Sequence, residues 1–172
     1  MNFKNKKPII NSSDTYSAIS HYKGDVAKLY NKNRHSSLKW KREQILIEKI
    51  INGLPENSII LDLPIGTGRL LPFYKNRNHR VYGIDISCDM LDETKNSNIG
   101  ESSIIELKQG NAEKIPLTDK SVDYVICLRL LNLVPLSVLE NIIKEFTRVS
   151  RKGIIFQVRV IEKAGTFKLL TK

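Results

Sequence analysis

The sequence predicts an α/β protein built on one parallel sheet with helices on both faces. From residue 58 onward, short runs rich in Ile and Val alternate with segments of helical periodicity, which is the pattern of strands joined by covering helices. The length of 172 residues suits one domain, and a chain of this size buries about 70% of its unfolded surface, so a single core suffices. A hydrophobic share of 41% and a charged share of 27% exclude global disorder, collagen and coiled coil.

Residues 1–35 are polar and broken, with Asn, Ser and Lys clusters around two short mixed segments, and they read as a basic arm or lid. Residues 36–172 read as the α/β domain. Ser36 or Ser37 is placed to cap a helix whose apolar positions Leu46, Ile47, Ile50, Ile51 and Leu54 share a face, and Gly53 with Pro55 stops it. Ser58 to Leu63 and Arg80 to Asp85 read as buried strands, with a short helix from about Arg69 to Lys75 between them. Ser87 is an N-cap for the next helix, and Asp89 suits the positive end of its dipole. Further strands are Ser103 to Gln109, Val122 to Leu128 and Gly153 to Val160. Before the last of these, Ser137 and Glu140 have capping-box spacing at the head of a helix carrying Val138, Leu139, Ile142, Ile143 and Phe146.

The formal charge of +10 raises a nucleic-acid reading, so its distribution matters. Residues 1–50 hold 11 Lys and Arg against 4 Asp and Glu, so +7 of the +10 falls in the first 50 residues, the N-terminal arm included. Such an arm can follow phosphates or anionic lipid heads, but a chain rich in Lys, Asn and Ile is also what an AT-rich coding sequence yields. No apolar run approaches the ~18 residues of a bilayer span, and the opening residues show no leader pattern. A cytoplasmic protein without a transmembrane segment is expected. Cys88 and Cys127 are far apart and lack a C-x-x-C pattern, so both are read as reduced thiols and no metal site is indicated.

The informative stretch is Asp62-Leu-Pro-Ile-Gly-Thr-Gly-Arg69, where the first strand turns into a helix. Glycines there let a backbone approach a ligand, and a helix start offers unpaired amides. Asp85 ends the second strand 17 residues after Gly68, where a carboxylate can accept from both hydroxyls of a ribose. A dinucleotide fold prefers a third glycine, but that position is Leu71, which argues against NAD. A polar cluster, Gly110-Asn111-Ala112-Glu113, follows the third strand.

With these residues the chain resembles the class I S-adenosylmethionine (SAM)-dependent methyltransferases, in the branch whose first motif reads D-x-P-x-G-T-G-R, from about Ser36 to Val160. The resemblance implies a Rossmann-like fold that lacks the family's usual last two strands, since only 12 residues follow Val160. It implies that Asp62, Gly66 and Gly68, with Thr67 between the glycines, hold the methionine part of SAM. Asp85 would take the ribose hydroxyls and Ile86 would pack beside the adenine. Asn111 and Ala112 would read the adenine edge, and the backbone of Cys127 and Leu128 would lie along the ligand. Two departures stand out: Pro64 replaces a common Gly and loses an amide donor, and neutral Asn111 replaces a usual acid.

For a methyl transfer, any catalytic base is expected from the arm, with His21, Tyr22, Tyr30 and His35 as candidates. The expected function is transfer from SAM to a small-molecule or lipid-linked acceptor. The alternatives are a SAM-degrading hydrolase or lyase, a SAM-binding protein on a shortened fold and, least favoured, a basic nucleic-acid-binding module. A homo-oligomer is expected through the last strand, which reads as an uncovered edge. Asp85 has no other evident task, so its removal is expected to cost binding more than stability.

Overall fold

Five runs dominated by β-branched and aliphatic residues pair into one sheet: β1 (Ile59–Asp62), β2 (Arg80–Asp85), β3 (Ile104–Gln109), β4 (Val122–Cys127) and β5 (Ser150–Phe156). The computed structural model describes residues 24, 26, 38–97 and 100–158. The strand order is β3-β2-β1-β4-β5, with every neighbouring pair parallel. The chain lays β1 to β3 outward and then returns to set β4 on the other side of β1. That reversal opens a crevice beyond the C-terminal ends of β1 and β4, because the flanking connections diverge there.

Both faces of the sheet are buried, so its central strands carry apolar residues in succession and send alternate ones to opposite cores. On one face, Ile60, Val81 and Ile126 pack with Ile47 and Ile51 of α1 (Leu38–Asn52), Leu71 and Tyr74 of α2 (Leu71–Asn76) and Leu91 of α3 (Cys88–Asn96). On the other, Leu61, Val125 and Cys127 pack with Ile142, Phe146 and Val149 of α4 (Leu136–Val149). No helix among the described residues is long and apolar enough to cross a membrane.

Four elements depart from the expectations drawn from the sequence. Ser36 and Ser37 lie outside the described residues, and α1 buries a narrower stripe than expected: Ile47 and Ile51 are buried, whereas Leu46 is 59% and Ile50 39% exposed. The stripe continues back through Gln44, one turn before Ile47, which puts Leu46 and Ile50 on its flank. The capping box at Ser137 does not form. Pro135 is the N-cap, its carbonyl accepts from the amides of Val138 and Leu139 at 3.1 Å, and Glu140 instead pairs with Lys144 at 2.8 Å. The last strand starts at Ser150 rather than Gly153, because α4 passes into it without a loop. It ends at Phe156, short of the expected Val160, since Gln157 and Val158 are not strand, and α2 starts at Leu71 rather than Arg69.

Gly83, in mid-strand, has a packing reason. A Cβ there would lie 2.4 Å from Ile65 Cδ1 and 2.5 Å from Leu107 Cδ2, so the missing side chain seats Ile65 of the glycine-rich turn directly on the sheet.

Phe146 is fully buried between α4 and the sheet. Phe146→Ala is expected to cost about 3 to 5 kcal/mol by lost burial and cavity formation; denaturant unfolding followed by circular dichroism checks it.

Candidate functional site

The crevice at the strand ends forms a cleft that is partly open to solvent, as small-molecule sites in this kind of sheet are. Four strand ends feed it: Asp62 and Leu63 after β1, Asp85 and Ile86 after β2, Gly110 and Ala112 after β3, and Leu128 with Arg129 after β4.

The turn that follows β1 is fixed from both sides. The amide of Leu63 donates to the carbonyl of Ile126 and that of Ile65 to the carbonyl of Ile84, each at 3.0 Å, so the turn spans β4 to β2. Gly66 and Gly68 both have left-handed backbones, with φ of 61° and 72°. Their surroundings differ. A Cβ on Gly66 would meet nothing within 4 Å and would project into open space, whereas one on Gly68 would lie 2.8 Å from Leu71 Cδ1 and 2.9 Å from Thr94 Cγ2. Gly66 lines the cleft, and Gly68 closes the packing of α2 against α3.

Asp85 holds this turn to the start of α3. Its Oδ2 accepts from the Gly66 amide and its Oδ1 from the Ser87 amide, both at 2.9 Å. Ser87 in turn caps α3, its Oγ accepting from the Met90 amide at 3.4 Å. Thr94 completes the tie by donating to the carbonyl of Gly66 at 2.7 Å. Burial pushes the Asp85 carboxyl up, and the amides of Ser87, Gly66 and Ile86 oppose that rise. The sequence had assigned Asp85 no task besides a ligand. The structure gives it a bracing task as well, since two amides 21 residues apart in sequence converge on it.

Asp62 is different: it is buried in the lining of the cleft, and its Oδ2 has no hydrogen-bond partner among the described residues. Burial pushes its carboxyl up to about 7, against the opposing pull of Arg69 and of the adjacent Tyr74 hydroxyl. That hydroxyl is itself buried and without a well-formed hydrogen bond. A buried carboxyl with a spare oxygen favours a cationic or donor group in the cleft.

Of the residues expected at a site, Asp62, Gly66, Thr67, Asp85, Ile86, Ala112 and Leu128 line this one cleft. Gly68, Asn111 and Cys127 do not. Asn111 is exposed, and its Oδ1 accepts from the Glu113 amide at 3.0 Å, closing a local turn. The Cys127 side chain is core, and burial pushes its thiol up to about 12. His21, Tyr22, Tyr30 and His35 lie outside the described residues.

Sequence reasoning missed Glu43. Arg129 grips it through both carboxylate oxygens, with Nη2 at 2.7 and 2.6 Å and Nε at 3.2 Å, while Arg69 Nη1 lies 3.3 Å from Oε1. Burial pushes Glu43 up, but Arg129 and then Arg69 override it and hold the carboxyl below its ordinary range. Both arginines carried a signal, each standing just beyond a strand end in a polar turn. Glu43 carried none, because only the fold brings α1 to residues 26 and 86 positions away.

A family described as a methyltransferase domain matches residues 60–153. The chain is 34% identical over 96 residues to a phosphatidylethanolamine N-methyltransferase of Cereibacter sphaeroides, covering 55% of this chain and 46% of that one. It is 33% identical over 95 residues to a malonyl-[acyl-carrier protein] O-methyltransferase of Yersinia pestis, covering 55% and 33%. The chain thus spans less than half the length of these curated relatives. Among solved structures, a protein of Pyrococcus horikoshii OT3 matches with a TM-score of 0.65 at 24% identity over 78% of this chain and 65% of that one. A SAM-dependent methyltransferase from Aquifex aeolicus matches with a TM-score of 0.57 at 26% identity, over 75% and 69%.

The buried Asp62 gives a test by pH. Its folded pKa of about 7 lies above the ordinary 3.8, so between these values the folded chain keeps a proton that the unfolded chain has released. Stability from this group is therefore fully present below about pH 4 and lost as pH rises through about 7. The melting temperature of the wild type relative to Asp62→Asn is expected to fall across that window, and scanning calorimetry of both proteins at several pH values checks it.

Proposed function

The chain belongs to the methyltransferase domain family, and from that premise we propose that its cleft binds SAM and serves transfer of the methyl group to a small-molecule or lipid-linked acceptor. The observation that carries this reading is the pairing, in one cleft, of the spare Asp62 carboxylate oxygen with the open Cβ position of Gly66. SAM supplies a methyl group on a positively charged sulfur, so the protein's share is positioning and electrostatics.

The lining residues fit that ligand by their chemistry. Asp62 offers an acceptor to the ammonium of the amino-acid tail, and Gly66 gives the tail room beside the turn. Asp85 spends one lone pair of each oxygen on the Gly66 and Ser87 amides and keeps others for ribose hydroxyls. Ile86, Ala112 and Leu128 supply apolar walls for a base. The N-terminal arm is assigned to the cover of the cleft. Its support is the amide of Gly24, which donates to Asp89 Oδ2 at 2.5 Å on α3, beside the lining residue Met90.

Relatives acting on a lipid amine and on an acyl-carrier-linked acid support an acceptor of that general kind. The family's reaction is the reading tested first. Calorimetry is expected to show SAM and its demethylated product both binding the wild type, with Asp85→Ala losing affinity and ligand-free melting temperature together. No binding of either by folded protein would overturn the assignment. SAM breakdown without any acceptor would replace transfer by cleavage.

Self-association along β5 belongs to the same proposal. Among the described residues β5 is an edge of the sheet, and Phe156 and Val158 are 50% and 51% exposed. Light scattering over a concentration series is expected to show an oligomer, and a monomer throughout would remove it.

A further inference from the structure

The lining of the cleft also holds a charge group to which the reading above gives no part. Arg69 and Arg129 both line the cleft, and both bind the single carboxylate of Glu43, so two cations face one anion. The Arg129 fork takes both oxygens of that carboxylate, the geometry in which arginine also receives free carboxylates and phosphates. Arg129 does so from a left-handed backbone, φ 69°, which a residue with a side chain adopts at a cost in free energy and which clusters at functional positions. Glu43 reaches the pair from α1, a separate element, with its side chain 14% exposed.

The carboxyls of the cleft give this group a direction. Asp62 and Asp85 are buried and repel an incoming anion, while Arg129, with a third of its side chain exposed, attracts one together with Arg69, whose charge also reaches Asp62. An amphoteric acceptor is thereby oriented, with its anionic group toward Arg129.

We propose that Arg129 and Arg69 form a receptor for an oxyanion of the acceptor, a carboxylate or a phosphate, and that Glu43 fills this receptor as an internal substitute until the acceptor displaces it. The proposal rests on the methyl-transfer reading of the cleft and deepens it to a substrate class. Acceptors without an anionic group close to the accepting atom are then poor ones.

The test is calorimetry of the full chain at low ionic strength with two probes, inorganic phosphate and acetate, with and without the demethylated product of SAM. Glu43→Gln removes the internal competitor and is expected to bind the better probe about tenfold more tightly than wild type, while the double variant with Arg129→Gln loses that gain. Phosphate binding more tightly than acetate assigns a phosphate-bearing acceptor, and the reverse a carboxylate. Equal affinity in wild type and Glu43→Gln overturns the competitor, and a double variant that binds as well as Glu43→Gln overturns the receptor. If the double variant melts early, Arg129→Lys beside Glu43→Gln replaces it: it keeps the charge without the fork, and undiminished binding overturns the proposal. Binding of the SAM product by wild type is measured in the same series, so a failed donor site and a failed anion receptor give separate signatures.

Discussion

One buried carboxylate joins the parts on which the cleft depends. Asp85 accepts from Gly66 in the turn after β1 and from Ser87 at the head of α3, and it ends the strand lying between them. Without it, a left-handed glycine turn and a helix start would each present an unpaired buried amide, and the two would have no common anchor. Charge assistance strengthens both bonds. The elevated pKa shows that burial is not fully repaid by these amides, so the carboxylate is held there against its own preference for water.

The cleft is lined by charges of both signs. Two of its carboxyls are raised by burial, a surrounding that favours a bound positive charge. Two guanidiniums share the lining, both paired with Glu43, and Arg69 also acts on Asp62. A ligand with separated charges meets a matching field, while a uniformly anionic one meets repulsion from the carboxyls. The net basicity of the sequence has little to do with this arrangement, since +7 of the +10 falls in residues 1–50.

The sheet was legible because each strand carries a cluster of Ile, Val, Leu or Tyr and is bounded by polar or glycine-containing turns, and β2 matches its expected bounds residue for residue. The turn from Asp62 to Arg69 and the acid at Asp85 were legible for a related reason: glycine pairs and strand-end carboxylates mark backbone and charge requirements that local sequence must satisfy. Helix faces were harder. Leu46 and Ile50 fit the period of α1 as well as Ile47 and Ile51 do, and only the position of the sheet decides which pair is buried. Ser137 was misread because the helix starts at Leu136 with Pro135 as its N-cap, which puts Ser137 inside the first turn rather than at its cap. Glu43 was invisible, since an ion pair across 86 residues has no local pattern.

The direct passage of α4 into β5 fixes where this architecture can change in length. Val149 ends the helix and Ser150 begins the strand, so no residue between them can absorb an insertion. One added residue would turn the helix by about 100° or flip every side chain of the strand to the opposite face, exchanging buried and outward positions throughout. Length can vary instead in connections such as 128–135 and the start of 110–121, which lie at the C-terminal rim and line the cleft. The same fold thus keeps its frame at a fixed length and leaves the selection of ligands to the segments that can vary.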